Sequence, residues 1–381
     1  MRKILFLITG FDYAGAENQV VQLCRGLRAK HYNILIVSMI KPVAYLDELK
    51  RLGVDIQSLH MNKGVPDPRA LLKLRRIVKS FGPDIVHSHL VHANIMARVA
   101  RLLVKMPVLI CTAHNINEGG RLREWMYRIT DPLCDLTTNV SQEAVNRYID
   151  IKAAPENKII YVPNGIDMSQ FEKNDHDYSN IRNELGLGGQ FVWLAIGRFV
   201  PEKDYANMLK AYALIVRSYP TSMLLIAGIG VEREAMEKLS RDLGLEQNVR
   251  FLGIRTDIPK LMNAVDAYLM SSKWEGLPIV LLEAAASGLP IVATKVGGNA
   301  EVVHHETNGY LVPSENEKEL ADKMALLMDK SESERRHMGE QGKAYIESHY
   351  NMQKIIERWE QLYGEARQGM SNIPRYAGGE Q

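Results

Sequence analysis

The chain has 381 residues, of which 46% are hydrophobic and 24% are charged, and its formal net charge is +2. This length exceeds what one compact core needs, so we expect two domains of ordinary globular composition. No segment approaches the roughly 20 apolar residues of a membrane-spanning helix, and three widely spaced cysteines indicate neither a disulfide framework nor a zinc site, as in a reducing cytoplasm.

The small net charge hides an asymmetry between the two halves of the chain. Residues 1–166 carry 23 Lys and Arg against 14 Asp and Glu, whereas residues 167–381 carry 24 against 31. A basic first half predicts contact with something anionic, such as a membrane surface or a phosphorylated acceptor.

The first half alternates short apolar segments with helical patterns such as ENQVVQLCRGLRAK and ALLKLRRIVKSF. Its predicted strands are KILFLIT, NILIVSM, VDIQSLH, DIVHSH, PVLICTAH and DLTTNV. The opening MRKILFLIT has too short an apolar run for a signal peptide and lacks the usual cleavage site, so a buried strand explains it better. This alternation predicts a parallel sheet covered on both faces.

A polar stretch, SQFEKNDHDYSNIRNELGLGGQ, is predicted to link the halves, after which the alternation restarts. The second set of predicted strands is FVWLAIG, SMLLIAG, NVRFLG, DAYLMSS, PIVAT and GYLVP. The GIG after the second of these lacks the rest of a dinucleotide fingerprint and is interpreted as a tight turn. We therefore predict domains at 1–166 and 167–349, a helix at 350–366 that returns to the first domain, and a disordered tail at 367–381.

Ligands of open α/β sheets bind at the carboxyl ends of the strands, so two such domains predict a site in a cleft between them. In the first half, Gly10 and Gly15 follow the first strand, where glycine lets backbone approach a phosphate or simply makes a turn. His87 and His89 end the fourth strand and His114 follows the fifth. Single histidines are more often core residues, but two adjacent strands ending in histidine favour a site.

In the second half, Arg198 and Lys203 follow the first strand, as a phosphate clamp or as an ordinary solvated charge run. The fourth strand leads into EGLPIVLLE, in which Pro278 is predicted in the first turn of a helix, between Glu275 and Glu283. Taken alone, this motif is more often a surface helix with two solvated carboxylates. Backbone N–H groups at the start of the helix suit a phosphate, and carboxylates suit sugar hydroxyls, so together they suggest a nucleotide-sugar.

The chain resembles the family 4 retaining glycosyltransferases of GT-B architecture. The motifs occur in the family's order over nearly the whole chain: GAEN, DIVHSH, TAHN, VPNGID, GRFVPEKD, IAGIG, RFLG, EGLPIVLLEAAASGLPIVAT and VGGNAEVV. Each motif is weak by itself, but the ordered set is specific. The fold implied is α/β, with two Rossmann-like doubly wound domains, an interdomain cleft and a C-terminal helix crossing back to the first domain.

The resemblance implies a role for each matched residue. Arg198 and Lys203 would hold the donor diphosphate, Glu283 the ribose hydroxyls, and Glu275 the donor sugar. The backbone near Ile254 would receive the base, and Gly15 and His114 would approach the diphosphate and the transferred sugar. The implied catalytic set is Glu275, His114, Arg198 and Lys203. The implied donor-binding set is Gly15, Arg198, Lys203, Ile254, Glu275, Gly276, Leu277, Pro278, Ile279 and Glu283.

The acceptor side is where the chain departs from the family. Members often have two glycines before Ala-Glu, whereas here Ala14 precedes Gly15, which narrows the first loop. We place Tyr13, Asn18 and His89 on this side. Without a protein nucleophile, the departing phosphate would deprotonate the acceptor. No Asp-x-Asp ends a strand of the donor half, and no metal or other cofactor is expected.

We therefore expect a hexosyltransferase or N-acetylhexosaminyltransferase that moves a sugar, favouring a UDP-sugar donor, to a lipid-linked or growing glycan in bacterial-type surface polysaccharide or glycoconjugate synthesis. Two alternatives stay open: a sugar-nucleotide epimerase or phosphorylase of the same architecture, and a noncatalytic sugar-nucleotide-binding protein. No nucleic-acid partner is expected. The protein is expected in the cytoplasm. The basic helix RALLKLRRIVKSF indicates either peripheral contact with anionic membrane or a sheet-covering helix with a basic outer face.

Overall fold

A computed structural model describes residues 2–117 and 119–368. The chain forms two compact units. The N-terminal unit contains residues up to Gly165 together with the segment that starts at Met352, and the C-terminal unit is Ile166–Asn351. The predicted tail at 367–381 lies outside the described residues from 369 onward, whereas Arg367 and Gln368 end a helix. No helix in the described part of the chain combines the length and apolarity needed to cross a bilayer.

The N-terminal unit is built on seven parallel strands in the order β3-β2-β1-β4-β5-β6-β7. The strands are β1 Lys3–Ile8, β2 Asn33–Ser38, β3 Asp55–Ser58, β4 Ile85–His89, β5 Val108–Ala113, β6 Leu136–Asn139 and β7 Ile159–Tyr161. The six predicted strands are confirmed. The seventh was not predicted, because its three residues IIY are too short for a recognisable pattern.

Helices cover both faces of this sheet. They are α1 Gly15–Ala29, α2 Leu46–Arg51, α3 Arg69–Phe81, α4 Val91–Ala100, α5 Arg121–Thr130, α6 Gln142–Asp150 and α15 Met352–Gln368. On one face, α1 and α2 pack over the β1–β3 half, and α15 packs over strands β4–β7, for example through Trp359 and Ile356. A Cβ on Gly26 of α1 would lie 1.9 Å from Ile356 Cδ1, so a glycine there permits the close packing of α15.

The C-terminal unit repeats this plan with six parallel strands in the order β10-β9-β8-β11-β12-β13. The strands are β8 Val192–Ile196, β9 Met223–Ala227, β10 Val249–Gly253, β11 Ala267–Met270, β12 Ile291–Thr294 and β13 Gly309–Val312. The helices are α7 Asp175–Glu184, α8 Tyr205–Ser218, α9 Arg233–Asp242, α10 Ile258–Asn263, α11 Ile279–Ala286, α12 Asn299–Val302, α13 Glu317–Asp329 and α14 Glu332–His349. All six predicted strands are confirmed.

The predicted linker is wrong, because this polar stretch folds into helix α7. Asn174 caps the helix by accepting hydrogen bonds from the backbone N–H groups of His176 and Asp177. Arg182 is buried, and its guanidinium donates to the carbonyls of Gly188 and Ala264. Buried backbone carbonyls need donors, so this arginine anchors a helix whose composition resembles a loop.

In both sheets the strand order reverses next to the first strand of the unit. The chain winds outward from β1 to β3 and then returns to β4 beside β1; likewise it winds from β8 to β10 and returns to β11 beside β8. Loops leave such a switch point in opposite directions and open a crevice at the carboxyl ends of the strands. The loops after β1 and β4, and those after β8 and β11, are therefore where each unit places its polar groups.

Candidate functional site

An ion pair occupies the switch point of the C-terminal unit. Lys203, in the loop after β8, contacts Glu275, in the loop after β11, with Nζ and Oε1 2.5 Å apart. The two side chains are only 16% and 11% exposed. The pair joins residues 72 apart in sequence because β8 and β11 are adjacent parallel strands.

Ser272 and Ser271 hold this pair in place. Ser272 Oγ donates to the same Glu275 oxygen at 2.6 Å, and Ser271 Oγ contacts the carbonyls of Lys203 and Asp204, both at 2.9 Å. Neither serine was predicted as a site residue. Ser271 directly follows β11 and Ser272 lies three residues before Glu275, but short polar residues occur at many strand ends, so this position is too weak a signal to identify them.

The second predicted cation of the clamp lies apart from this pair. Arg198 is 66% exposed at the side chain, and its nearest acidic partner is Glu202, with Nη2 and Oε1 3.8 Å apart. The structure therefore brings Lys203 and Glu275 together but leaves Arg198 on the surface. An exposed, weakly paired arginine costs little to reorient.

Gly276 and Leu277 are buried and lead into helix α11. The prediction that Pro278 lies in the first turn is wrong by one residue: Pro278 has extended backbone (φ −72°, ψ 119°) and is the N-cap, and Ile279 is the first helical residue. The Pro278 carbonyl accepts from Leu281 N at 3.0 Å. Backbone packs tightly here, since a Cβ on Gly297 would lie 2.1 Å from the Glu275 carbonyl oxygen.

Glu283 is the fifth residue of α11, so it lies more than a turn inside the helix, as predicted. Part of its surface is exposed, but burial of the rest raises the pKa of its carboxyl to about 7. Within the described residues the carboxylate makes no hydrogen bond or ion pair, and only desolvation shifts its pKa. Both oxygens are therefore available to a ligand hydroxyl.

The loop after β10 presents an apolar surface to solvent. Ile254 is 64% exposed and follows Gly253, whose φ is +68°. The predicted turn between β9 and helix α9 lies at residues 231–232, where Arg233 N donates to the Gly230 carbonyl at 3.2 Å. Just before it, a Cβ on Gly228 would lie 1.9 Å from the Gly197 carbonyl oxygen. Glycine here lets the loops after β8 and β9 touch along their backbones.

In the N-terminal unit, two predicted histidines are hydrogen-bonded to each other. His89 Nδ1 and His114 Nε2 are 3.0 Å apart, and burial lowers the pKa of His114 to about 4. His89 is buried, and desolvation holds its pKa well below the usual value. The prediction that His89 faces the acceptor is therefore corrected: its ring can act on a ligand only through His114.

The hydrogen-bond partners assign the tautomers of this pair. His89 Nε2 is buried and has no hydrogen-bond partner in the described structure. A buried N–H without an acceptor is rarer and costlier than a bare acceptor atom, so His89 carries its proton on Nδ1 and donates it to His114 Nε2. His114, which is neutral, then carries its own proton on Nδ1 and can donate it to a ligand oxygen.

His87 lies behind this pair and links it to the last helix. Its Nδ1 is 2.8 Å from the Tyr363 hydroxyl, its Nε2 is 2.7 Å from Thr112 Oγ1, and its ring centroid is 4.2 Å from that of His89. His87 is completely buried, so it is a core residue. The sequence could not identify Tyr363 as its partner, because 276 residues separate them.

The first loop of the N-terminal unit is open to solvent. Helix α1 begins at Gly15, two residues before the predicted start near Glu17. Gly15 is exposed, Tyr13 is 66% exposed, and Asn18 is half-buried one turn into the helix. Ala14 is the N-cap, and its side chain offers no capping hydrogen bond.

Residues 2–117 and 119–368 contain no group of three or more His, Cys, Asp or Glu side chains that could hold a metal ion.

Comparison with known proteins identifies the chain. A family model described as "Glycosyl transferases group 1" matches residues 177–345, and one described as "Glycosyltransferase Family 4" matches residues 13–170. The chain belongs to the family 4 glycosyltransferases. The two models fall on the two structural units, and the motifs on which the resemblance rested lie within them or beside them.

Curated relatives of this glycosyltransferase have stated activities. It is 28% identical to the UDP-Gal:alpha-D-GlcNAc-diphosphoundecaprenol alpha-1,3-galactosyltransferase of Escherichia coli, over 65% of this chain and 67% of the relative. It is also 28% identical to the N-acetyl-alpha-D-glucosaminyl L-malate synthase of Bacillus anthracis, over 76% of this chain and 77% of the relative.

A solved structure supplies the fold. The Anabaena protein HepE, in complex with UDP-glucose, matches 96% of this chain and 100% of its own with a TM-score of 0.85 and 21% identity. The fold of this glycosyltransferase is therefore GT-B, as the sequence predicted.

Proposed function

We propose that this glycosyltransferase moves a sugar from a nucleotide-diphosphate donor, favouring a UDP-sugar, to a hydroxyl of a lipid-linked or growing glycan, with retention of anomeric configuration. The observation that carries the proposal is the Lys203–Glu275 pair beside the start of α11, with the unpaired Glu283 inside the same helix. This arrangement offers a cation for a diphosphate and two carboxylates for hydroxyls.

Each group has one role in the proposed donor complex. Lys203 and a reoriented Arg198 neutralise the diphosphate, with help from the N-terminal end of α11. Glu283 accepts hydrogen bonds from the ribose hydroxyls, and Glu275 accepts one from the donor sugar. The backbone beside the exposed Ile254 receives the base. His114 donates its Nδ1 proton to a sugar oxygen.

The state of Glu275 supports a reaction without a protein nucleophile. Its Oε1 is already engaged by Lys203 and Ser272, which makes it a poor attacking group. In the proposed step the C1–phosphate bond breaks, the acceptor oxygen bonds to C1 from the same face, and its proton passes to the departing phosphate oxygen. Lys203 stabilises the charge on that phosphate, which is where most of the rate enhancement arises.

We propose further that the reaction needs no divalent metal. Lys203 and Arg198 supply two positive charges, and the start of α11 supplies oriented N–H groups. Excess EDTA is expected to leave the rate unchanged. Loss of activity in EDTA, with recovery on adding Mg²⁺ or Mn²⁺, would contradict this part of the proposal.

The relatives support the donor class. The E. coli relative is described as using UDP-Gal and forming an alpha linkage to a diphosphoundecaprenol-linked sugar, and HepE was solved with UDP-glucose. The B. anthracis relative is described as an N-acetyl-alpha-D-glucosaminyl L-malate synthase, a name that joins the sugar to L-malate, so acceptors differ between relatives. Another relative, from Mycobacterium tuberculosis, is described as GDP-mannose-dependent, so a nucleotide-sugar donor is the better supported half of the substrate pair.

A donor panel tests the proposal. Thermal shifts with UDP-glucose, UDP-galactose, UDP-N-acetylglucosamine and GDP-mannose should show stabilisation by at least one UDP-sugar, since a ligand at 100 times its Kd adds about 2.7 kcal/mol. NMR of the sugar transferred to a glycan or to water should then show the donor's anomeric configuration. Glu275→Gln should lose turnover, while Lys210→Ala, an exposed control on α8, should keep it.

Two outcomes would favour the alternatives. A donor converted to its epimer, or phosphorolysis without any acceptor, would indicate an epimerase or phosphorylase. Donor binding with no turnover on any acceptor, and unchanged by Glu275→Gln, would indicate a binding protein.

A further inference from the structure

The two carboxylate oxygens of Glu275 lie in different surroundings. Oε1 contacts Lys203 Nζ at 2.5 Å and accepts a hydrogen bond from Ser272 Oγ at 2.6 Å. Oε2 has no hydrogen-bond partner within the described structure and is not among its buried polar atoms, so it reaches solvent at the carboxyl edge of the sheet. A ligand that approaches this edge therefore meets Oε2 before Oε1.

Ser272 is itself held in place by the neighbouring strand. Its carbonyl accepts a hydrogen bond at 2.6 Å from Oγ1 of Thr294, which is the last residue of β12. Ser272 and Thr294 are both buried, so protein groups rather than water satisfy this contact. Because β11 and β12 are adjacent parallel strands, the position of the Ser272 hydroxyl is fixed before any ligand binds.

Lys203 alone does not fix the orientation of this carboxylate. Its ammonium group is a point charge with three equivalent donors on a flexible stem, so it attracts either oxygen. It is also the cation that the proposed donor diphosphate would draw toward itself. A serine hydroxyl has one proton on a short side chain. Ser272 therefore distinguishes Oε1 from Oε2, and it continues to do so when Lys203 moves.

We propose that Ser272 is a positioning residue that gives the two oxygens of Glu275 separate tasks: it holds Oε1, and it leaves Oε2 to accept a hydrogen bond from the donor sugar. This inference rests on the proposed function, in which Glu275 contacts that sugar. Ser272 is buried and its proton is already donated, so it touches no substrate. Without it the carboxylate is free to turn about its last bond, and the bound donor meets the correct orientation less often, which lowers the rate.

Kinetics of two variants of the full-length protein test the proposal. Ser272→Ala removes the donor, and Ser272→Cys fills nearly the same space with a much weaker one. With the nucleotide-sugar that gives the largest thermal shift, both should lower kcat by about ten- to hundredfold, the range of one hydrogen bond to a charged group. Affinity for the nucleoside diphosphate alone, which has no sugar to contact Glu275, should equal that of the wild type. The matched control Ser222→Ala removes a buried hydroxyl directly before β9, at the amino end of the sheet, and should keep both values.

Crystal structures without ligand separate this proposal from the donor reaction. The Glu275 carboxylate should have one orientation in the wild type and more than one in Ser272→Ala. A single unchanged orientation in Ser272→Ala, a wild-type kcat for Ser272→Cys, or equal losses of kcat and of diphosphate affinity would overturn the positioning role. If the crystal structures differ as expected but the wild type transfers no sugar, the positioning of Glu275 stands and the proposed function is wrong.

Discussion

The carboxyl edges of the two sheets carry different chemistry. At the edge of the C-terminal sheet, a lysine and a glutamate form a nearly buried ion pair, and a second carboxyl has no partner among the described residues. At the edge of the N-terminal sheet, His89 and His114 are kept neutral by burial. A charged edge suits a diphosphate. A neutral hydrogen-bond donor suits a sugar hydroxyl and, because it carries no charge, does not attract the phosphate to the N-terminal unit.

The largest expected effect comes from removing the charge at the C-terminal edge. Lys203→Ala should lower kcat/KM by about 10²–10³-fold, the loss typical of one group that stabilises developing charge. Glu275 would also lose its cation. Steady-state rates of donor consumption measure this. A loss below about threefold would mean that Lys203 pairs with Glu275 only for structure.

Glu283→Gln tests the unpaired carboxyl, with an intermediate effect. Affinity for a UDP-sugar, measured by calorimetry, should fall about tenfold at pH 8, because hydrogen bonds to a charged acceptor are stronger than those to an amide. In the wild type, affinity should rise between pH 6 and 8 as Glu283 ionises near pH 7. A UDP-sugar has no titrating phosphate in this range, so a slope that survives in the glutamine variant would refute the assignment.

The same variant should stabilise the fold, although it weakens donor binding. A glutamate whose folded pKa is raised is destabilising above its unfolded pKa of about 4.5, and the cost is complete above about pH 7. Glu283→Gln should therefore increase the free energy of unfolding by about 1–3 kcal/mol at pH 8, and by much less near pH 4.5. Denaturant melts at both pH values measure the difference.

The smallest expected effect is at the neutral edge. His89→Phe removes the donor to His114 and should lower kcat by about two- to tenfold, the range of one net hydrogen bond. His89→Asn retains an N–H near the position of Nδ1 and should recover part of the rate. If Phe and Asn variants are equally slow, His89 acts only by filling space.

Local pattern predicted twelve of the thirteen strands because most of them are apolar runs bounded by Gly, Pro or Asn, and the polar β3 and β6 fall where the strand–helix alternation requires a strand. This prediction failed where the local composition indicates a loop but tertiary contacts stabilise a helix. The segment around Arg182 resembles a loop until the carbonyls that it binds are known. Similarly, the pairing of Lys203 with Glu275 depends on which strands are adjacent, and neither spacing nor composition shows that Arg198 points away from them.

Within the candidate site, only the residues that lie in family motifs could be predicted from the sequence. They located Glu275, Glu283 and His114, but not the serines that hold Glu275 or the burial of His89 behind His114. Hydrogen-bond partners such as Ser272 are short polar residues that occur at many strand ends, so their role follows from coordinates alone. The placement of the N-terminal and C-terminal groups around one donor remains a prediction.

The helix at the end of the chain has a consequence for biosynthesis. Strands β4–β7 depend on α15 to cover one face, and Trp359, Leu362 and Tyr363 are among the side chains that do so. The ribosome synthesises these residues after the whole C-terminal unit, so one apolar face of the nascent N-terminal sheet stays exposed to solvent until α15 has been made. Chains truncated before α15 would therefore expose the apolar face of strands β4–β7, which chaperones and proteases can recognise.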